Sequence, residues 1–206
     1  MSKNPIIVFE GIETSGKSTS LKKTIKYLKK KKIKYISFRE PGGTNLSEKL
    51  RQLMLNKKSK LNNKTDLFLF MASRSENFDK IIKKNYKKKV ILIDRFIDST
   101  LAYQHYGMGL DKNLILRMNN FLLGNLKPNF TFLSIVNKKN MLKRLKLRKN
   151  INKYDNFNHK FYNKVQKGFL KIALTNRSKY LILDSNKDSL KIIENKLINK
   201  INKILK

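Results

Sequence analysis

The feature that most constrains the fold is a short apolar segment that runs directly into a glycine-containing loop near the N-terminus. Residues Pro5 to Glu10 have the character of a buried strand, and they are followed by Gly11-Ile12-Glu13-Thr14-Ser15-Gly16-Lys17-Ser18-Thr19. Apolar residues then recur at helical spacing, at Leu21, Ile25 and Leu28. A Gly-x-x-x-x-Gly-Lys-Ser motif between a strand and a helix predicts a P-loop.

The chemistry of this loop suits the phosphates of a nucleoside triphosphate. Glycines let several backbone N–H groups point at phosphate oxygens, with the positive end of a helix dipole behind them. Lys17 would reach the outer phosphates, and the Ser18 hydroxyl would ligate Mg²⁺. The expected ATP-binding residues are therefore Gly11, Ile12, Glu13, Thr14, Ser15, Gly16, Lys17, Ser18 and Thr19.

Strand-like segments alternate with helical patterns along the rest of the chain. The expected strands comprise residues 5–10, 35–38, 89–95, 130–136 and 180–184. The first helix is expected over about residues 17–32, a second with Asn45 and Glu48 in capping-box positions, and a third from about Thr65. This alternation predicts one α/β domain over residues 1–206, with a doubly wound, five-stranded parallel sheet flanked by helices.

The composition narrows the cellular setting. The chain contains no cysteine, which excludes disulfides, a thiolate nucleophile and cysteine metal sites and suits a reducing cytosol. The N-terminal apolar run is too short for a signal peptide, and no stretch approaches the roughly 20 apolar residues of a membrane span. We therefore expect a cytoplasmic protein that does not bind membranes.

The net charge of +34 could indicate a nucleic-acid-binding protein. However, Lys numbers 40 and Arg only 8, while Asn reaches 24 and Ile 21. Lys, Asn and Ile all have AT-rich codons, so mutational bias explains the three together. We therefore expect no specific binding of nucleic acid.

Arginines are informative in such a chain, because lysine is the cation that the codon bias supplies. An arginine then indicates a position that needs a planar, bidentate group. Four of the eight fall in segments that resemble ligand loops: Arg39, Arg74, Arg95 and Arg148.

Three further segments carry candidate ligand contacts. Phe70 and Arg74, at i and i+4 of the third helix, would share one face and could stack on a base and bond its edge. Asp94 ends a buried strand, where such folds place a carboxylate that organises Mg²⁺. The segment from Ser99 to Gln104 adds hydroxyls and an amide that could bond a nucleoside.

With these residues in view, the chain resembles the thymidylate kinase family from Pro5 through roughly Asp184. Three motifs, in this order, distinguish the family from other nucleotide kinases. They are Arg39-Glu40-Pro41-Gly42-Gly43-Thr44, Phe70-Met71-Ala72-Ser73-Arg74, and Asp94-Arg95 leading to Ser99-x-x-Ala102-Tyr103-Gln104.

The resemblance implies a P-loop nucleoside monophosphate kinase fold and the ATP- and Mg²⁺-dependent phosphorylation of dTMP to dTDP, a step toward dTTP for DNA synthesis, in a homodimer. By matching position, the resemblance implies that Arg39 and Arg95 bind the dTMP phosphate. It implies that Phe70 stacks on the thymine ring and that Arg74 and Gln104 bond the edge of this ring. Tyr103 would lie near the sugar, Glu13 near the 3′-hydroxyl, and Ser99 in the same pocket.

The family supplies its catalytic cation either from the P-loop or from a mobile lid. No cation lies between Gly11 and Gly16, so the chain resembles the bacterial type, with a lid at about residues 146–158. Arg148 is the first candidate, with Lys153 nearby. Departures from the family pattern include Asn152-Lys153-Tyr154-Asp155 in place of Asp-Arg-x-Glu, Met108 in place of Arg, and Ile135 in place of Asp.

Two alternatives stay open at this point. One is a kinase for another nucleoside monophosphate or for a deoxynucleoside, which a panel of acceptors would separate. The other is a P-loop ATPase that binds nucleic acid, although the basic residues lack interleaved aromatics and a recognisable binding module.

Overall fold

The computed structural model describes residues 4–124, 126–148 and 152–205. Its centre is a five-stranded, all-parallel sheet in the order β2-β3-β1-β4-β5. The strands are β1 (Ile6–Glu10), β2 (Tyr35–Arg39), β3 (Val90–Asp94), β4 (Phe130–Ile135) and β5 (Tyr180–Asp184). The expected doubly wound parallel sheet is confirmed. Both ends of every strand lie within one residue of their predicted positions.

Helices cover both faces of the sheet. They are α1 (Lys17–Lys30), α2 (Asn45–Leu55), α3 (Asn63–Asn77), α4 (Lys83–Asn85), α5 (Ile97–Thr100), α6 (Lys112–Leu123), α7 (Lys138–Lys146), α8 (His159–Thr175) and α9 (Leu190–Leu205). A π-helical segment, Phe78–Ile82, joins α3 to α4, and a second, Leu101–Gly107, continues α5. None of the described helices is long and apolar enough to cross a membrane.

Two helix starts and one helix end differ from the sequence prediction. Helix α1 stops at Lys30 because Lys32 takes a positive φ of 55°, which a right-handed helix cannot contain. At α2 the capping residue is Thr44, whose hydroxyl accepts from Ser47 N at 3.1 Å, so the predicted capping box of Asn45 and Glu48 is wrong. Helix α3 starts two residues earlier than expected, at Asn63.

Asparagine side chains cap the starts of several helices. Asn62 accepts from Thr65 N at 2.9 Å at the start of α3. Asn137 does the same at α7 and Asn158 at α8, with bonds of 2.8 and 2.9 Å. Each such cap satisfies a backbone N–H that the helix leaves unpaired, and contributes about 1 kcal/mol relative to alanine.

Alternate residues of β1 face opposite sides of the sheet, and both sides are buried. Ile7 and Phe9 pack on the side that α1 and α9 cover, where Leu197 is also fully buried. Ile6 and Val8 pack on the other side with the Phe96 ring. Since each large apolar side chain contributes roughly 1.5–3 kcal/mol when buried, this two-sided core holds the strands in a fixed register.

That register brings the carboxyl ends of three strands together. Asp94 of β3 pairs with Phe9 of β1 on one side and with Arg39 of β2 on the other. Ligands of open parallel sheets bind at this edge, beside the point where the strand order reverses. The loops that follow these strand ends carry most of the candidate residues.

Candidate active site

A cavity of about 400 Å³ opens at the carboxyl edge of the sheet. The P-loop, the β2–α2 turn, α2, α3, the end of β3 and the segment before α8 all contribute to its wall. Its lining comprises Glu13, Thr14, Lys17, Ser18, Arg39, Glu40, Pro41, Arg51, Leu55, Phe70, Asp94, Arg95, Ser99, Tyr103, Gln104, Arg148, Asn152 and Tyr154. Of the predicted catalytic, substrate and metal residues, only Arg74 and Lys153 are outside this set.

The P-loop has the backbone geometry that its glycines predict. Gly11 has a φ of 140°, and a Cβ there would lie 2.3 Å from Ser134 O. Gly16 has a φ of 100° and precedes α1, and no side chain caps this helix. Position 11 therefore requires glycine, because a Cβ would clash with Ser134 O. Position 16 favours glycine, because its backbone has a positive φ. The uncapped N–H groups of α1 are available to an anion.

Lys17, Ser18 and Asp94 meet at the mouth of this loop. Lys17 Nζ lies 3.2 Å from Asp94 Oδ1, and Ser18 Oγ lies 3.5 Å from Asp94 Oδ2. Burial lowers the pKa of Lys17, and the Arg95 charge lowers it further against the opposing pull of Asp94. Burial also opposes ionisation of Asp94, but Lys17 and Arg95 outweigh it and lower the pKa of that carboxyl.

A hydroxyl and an ionised carboxylate at this spacing fit Mg²⁺. This ion prefers oxygen ligands and keeps several waters or phosphate oxygens, so one or two protein ligands suffice. Among the described residues no group of three or more His, Cys, Asp or Glu side chains could hold a metal by itself. Ser18 and Asp94 are therefore suited to an ion that arrives with the nucleotide.

Arg95 lies at the centre of the cavity wall. Its Nη2 is 2.7 Å from Glu13 Oε1, and its Nη1 donates to Gly11 O at 3.0 Å. Tyr103 donates its hydroxyl to the same Glu13 carboxylate, and its ring lies 5.2 Å from the Arg95 guanidinium carbon. The arrangement links the P-loop to the turn after β3, and it places Glu13 between the two.

A second group of arginines follows β2. Arg39 is half exposed and pairs with Glu48 at 3.0 Å, while Glu48 also accepts from Gly43 N at 3.0 Å. Arg51 donates to Pro41 O at 2.9 Å, and burial together with the Arg39 charge lowers the pKa of Arg51 to about 10. Sequence reasoning missed Arg51, although the scarcity of arginine could have indicated it.

Phe70 and Arg74 do not share the cavity wall. Phe70 lines the cavity, with its ring 6.3 Å from the Tyr154 ring. Arg74 is 1% exposed, with Nε bonded to Glu40 Oε2 at 2.8 Å and Nη1 to Asn119 Oδ1 at 2.6 Å. The expectation that the two residues face the ligand side by side is therefore wrong, because Phe70 lines the cavity and Arg74 does not.

Gln104 lines the cavity and is fully buried. Its Nε2 donates to Asp66 Oδ2 at 3.2 Å, which fixes the orientation of the amide. Its Oε1 has no hydrogen-bond partner within the described part of the chain. A buried acceptor without a partner is costly unless a ligand supplies the donor.

The two candidate catalytic cations have different surroundings. Arg148 lines the cavity, and its Nη1 lies 2.5 Å from Asp155 Oδ1. Lys153 is instead directed at the buried Asp66, with its Nζ 3.4 Å from Oδ1. The described part of the expected lid lines the cavity through Asn152 and Tyr154. Sequence reasoning missed Tyr154, and no sequence pattern indicated it. Residues 149–151 of that lid lie outside the described residues.

Arg144 supports the P-loop from the far side and was also missed. Its Nη1 donates to Thr14 O and to Ser185 Oγ, both at 3.0 Å. Thr14 has a positive φ of 57°, a conformation that few residues adopt without support. Arg144 thus fixes the tip of the loop to the segment that follows β5.

The comparisons with known proteins agree over nearly the whole chain. The family model described as thymidylate kinase matches residues 9–197. The thymidylate kinase of Kosmotoga olearia is 36% identical over 189 residues, which cover 91% of each chain. That of Clostridium novyi is 34% identical over 198 residues, covering 94% of this chain and 97% of the other.

A solved structure gives the same result in three dimensions. The crystal structure of thymidylate kinase from Ehrlichia chaffeensis is 32% identical, with a TM-score of 0.78 over 97% of this chain and 98% of that one. Sequence and architecture therefore agree from the P-loop to the last helix, and the chain belongs to the thymidylate kinase family.

Proposed function

We propose that this protein transfers the γ-phosphoryl group of ATP to dTMP, giving dTDP and ADP, with Mg²⁺ bound alongside ATP. Family membership supports a nucleoside monophosphate kinase, a phosphotransferase of nucleotide biosynthesis. The observation that carries the proposal is that one cavity is lined both by Lys17 and Asp94 and by Phe70 and Gln104. The first pair suits a phosphate, and the second suits a planar ring.

The donor nucleotide is held by the P-loop. Its backbone N–H groups and the α1 N-terminus bond the phosphates, and Lys17 neutralises charge on the group that moves. Ser18 and Asp94 would hold Mg²⁺, which would supply positive charge beside the phosphates. Because Asp94 pairs with Lys17 at 3.2 Å, the carboxylate also orients the lysine before ATP arrives.

The acceptor phosphate is held by arginines of the two strand-end turns. Arg95 and Arg39 are assigned to it, and Arg51 joins them because it lines the same cavity and feels the charges of both. Guanidinium groups suit this task, since their planar donors match phosphate oxygens in pairs. Glu13, Tyr103 and Ser99 are placed on the sugar side.

The base is recognised by stacking and by one unpaired acceptor. Phe70 offers its ring to the base, and the free Oε1 of Gln104 would accept from the N3–H of thymine. Cytosine has no proton at N3 in its neutral form, so this acceptor discriminates against it. Arg74 is not assigned to the base edge, since it lies outside the cavity lining and its Nε and Nη1 are bonded to Glu40 and Asn119.

The catalytic cation is assigned to Arg148. It lies at the cavity wall with Thr14 and Lys17, whereas Lys153 is bound to Asp66. Phosphoryl transfer needs positioning and charge stabilisation more than covalent chemistry, so one well-placed guanidinium has a large effect. We also propose that the segment 146–158 acts as a mobile lid on the single domain.

The assembly and location proposed are a homodimer in the cytoplasm. The resemblance supports the dimer, and so does exposure, since Phe121 of α6 is 87% exposed and Phe68 of α3 is 57% exposed. A second copy would cover such apolar side chains. Light scattering after size exclusion tests this, and Phe121→Glu is expected to yield monomers.

A coupled assay of ADP formation tests the proposed function. ATP and Mg²⁺ are supplied with dTMP, dUMP, dCMP, dAMP or dGMP, and with no acceptor. The proposal requires dTMP to be phosphorylated with the highest kcat/KM. Equal or better use of another acceptor contradicts the substrate assignment, and ATP hydrolysis that depends on added polynucleotide contradicts the kinase.

A further inference from the structure

Glu10 is a fully buried carboxylate at the end of β1, and it does not line the ligand cavity. Both of its oxygens are engaged by the turn after β3. Oε1 accepts from Phe96 N at 2.8 Å and from Ser99 N at 3.2 Å. Oε2 accepts from the Ser99 hydroxyl at 2.5 Å. Glu10 therefore binds the start of α5 from a neighbouring strand.

Helix α5 needs this outside partner. The residue that precedes it, Phe96, has no polar side chain that could cap the helix. The first N–H groups of a helix have no partner within it, so a buried helix start requires an acceptor from elsewhere. Glu10 supplies that acceptor, and a carboxylate at a helix N-terminus is also favoured by the helix dipole.

The turn that Glu10 holds presents Arg95 to the cavity. Arg95 has a φ of 69°, which is uncommon for a residue other than glycine and needs support from its surroundings. Its Nη1 lies 3.4 Å from Ser99 Oγ, the same hydroxyl that donates to Glu10. A continuous chain of hydrogen bonds thus leads from Glu10 through Ser99 to the Arg95 guanidinium.

A charged carboxylate at this buried position destabilises the folded state. Burial and the neighbouring Asp98 raise the pKa of Glu10 to about 7, against the lowering effect of its bonds to Ser99 and Phe96. A glutamine of the same shape would keep an acceptor for Phe96 and Ser99 N without a buried charge. What glutamine would lose is an acceptor for the Ser99 hydroxyl.

We propose that Glu10 is a positioning residue for the acceptor phosphate, which acts by holding Ser99 and Arg95 in place at the cavity. The inference rests on the proposed function, because it takes Arg95 as the ligand of the dTMP phosphate. It adds a residue of β1 that touches neither substrate. It also gives the Ser99 hydroxyl a second role, because this group bonds both Glu10 and Arg95 and so connects the two side chains.

The test is Glu10→Gln, with KM measured separately for dTMP and for ATP. A hydrogen bond to a charged group contributes a factor of about ten or more, so the KM for dTMP is expected to rise by about that factor. The KM for ATP is expected to stay within about twofold, because the Lys17 and Ser18 side chains contact Asp94 instead. Glu10→Asp, which keeps the charge but shortens the reach, is expected to show the same split.

Asp98→Asn is the matched control. Asp98 is a neighbouring acid whose Oδ2 accepts from the Tyr180 hydroxyl at 2.8 Å. Because its charge raises the pKa of Glu10, the variants are compared at about pH 8, where Glu10 is mostly ionised. The replacement of Asp98 is expected to leave the KM for dTMP unchanged, whatever it does to the melting temperature. If Asp98→Asn raises this KM as much as Glu10→Gln does, the effect is a general loss of packing and the inference is overturned.

A double-mutant cycle with Ser99→Ala gives the decisive result. If Glu10 acts through Ser99, the double variant is expected to have nearly the dTMP KM of Ser99→Ala alone. Additive effects, an unchanged KM in both Glu10 variants, or equal rises for dTMP and ATP would each overturn the inference while the proposed function stands. A wild-type protein that does not phosphorylate dTMP would overturn both.

Discussion

Arg148 Nη1 lies 2.5 Å from Asp155 Oδ1, so the guanidinium beside the P-loop is oriented by a carboxylate seven residues away. The Asp155 side chain is fully buried, while that of Arg148 is 38% exposed. Such a pair holds one nitrogen of the guanidinium and leaves the others to face a ligand. This relationship favours Arg148 over Lys153 as the source of charge stabilisation.

The first prediction concerns that assignment. Arg148→Ala is expected to lower kcat by about two orders of magnitude or more, because an arginine that stabilises the transition state can contribute 10³–10⁵ in phosphoryl transfer. The dTMP affinity is expected to change little, since the residue acts mainly in the transition state. Arg148→Lys should recover part of the rate only. Steady-state kinetics with both substrates measure this.

Lys153→Ala is the comparison variant for Arg148. Its Nζ neutralises Asp66, so its loss is expected to alter stability more than kcat. A severe loss of kcat in Lys153→Ala together with a mild one in Arg148→Ala would reverse the assignment. Small effects in both would exclude catalysis by this segment.

The second prediction concerns Lys17. Lys17→Ala is expected to nearly abolish turnover, because it removes the cation that reaches the transferred phosphoryl group. The fold is expected to persist, with a melting temperature close to that of the wild type, since the side chain serves the ligand. Lys22→Ala, on the exposed side of the same helix, is the control and should keep full activity. Near-normal kcat in Lys17→Ala would contradict the P-loop assignment.

The third prediction concerns the base. Stacking on an aromatic ring contributes about 1–3 kcal/mol per base in nucleic-acid binding proteins, so Phe70→Ala is expected to weaken dTMP binding roughly 5- to 150-fold. ATP binding should change little. Lys64→Ala, on the same helix but exposed and outside the cavity, is the control. Calorimetric titration with each nucleotide measures both affinities, and equal losses would show that Phe70 only packs.

The fourth prediction concerns pH. Burial and Asp98 raise the pKa of Glu10 to about 7, from 4.5 in the unfolded chain, while Arg95 opposes this rise. The folded state therefore holds the proton more tightly, and stability falls as the pH rises from about 4.5 to 7. Over that range the stability of Glu10→Gln relative to the wild type should increase by roughly 1–3 kcal/mol.

Urea denaturation at pH 5 and pH 8 checks this value. The difference between the two pH dependences reports Glu10 together with Asp98, because the charges of these two carboxyls interact. Parallel curves for the wild type and Glu10→Gln would show that the carboxyl is not stabilised in its protonated form.

The sheet could be predicted from the sequence because each buried strand is a continuous apolar run with a clear end. The P-loop could be predicted because its spacing leaves few alternatives. The helix starts were less certain, since Thr44 and Asn45 both have side chains that can cap a helix. Only the backbone conformation decides between them, and Thr44 is the residue in the extended conformation.

The orientation of the site residues was harder to predict. Spacing places Phe70 and Arg74 on one helix, but Arg74 turns toward Glu40 because a buried carboxylate must be paired. Glu40 follows β2 and lies 34 residues away in sequence, so no local pattern reveals the pair. Tyr154 was missed for the same reason, since its partners Tyr103 and Asp66 are distant in sequence.

The asparagine caps of α3, α7 and α8 show how the chain accommodates its own composition. Asparagine equals serine and aspartate as a capping residue, so it adds stability at a helix start where it would weaken the helix interior. Codon drift toward asparagine is therefore harmless at such positions. A change from another capping residue to asparagine is therefore tolerated at a helix start, whereas a change to asparagine within a helix is destabilising.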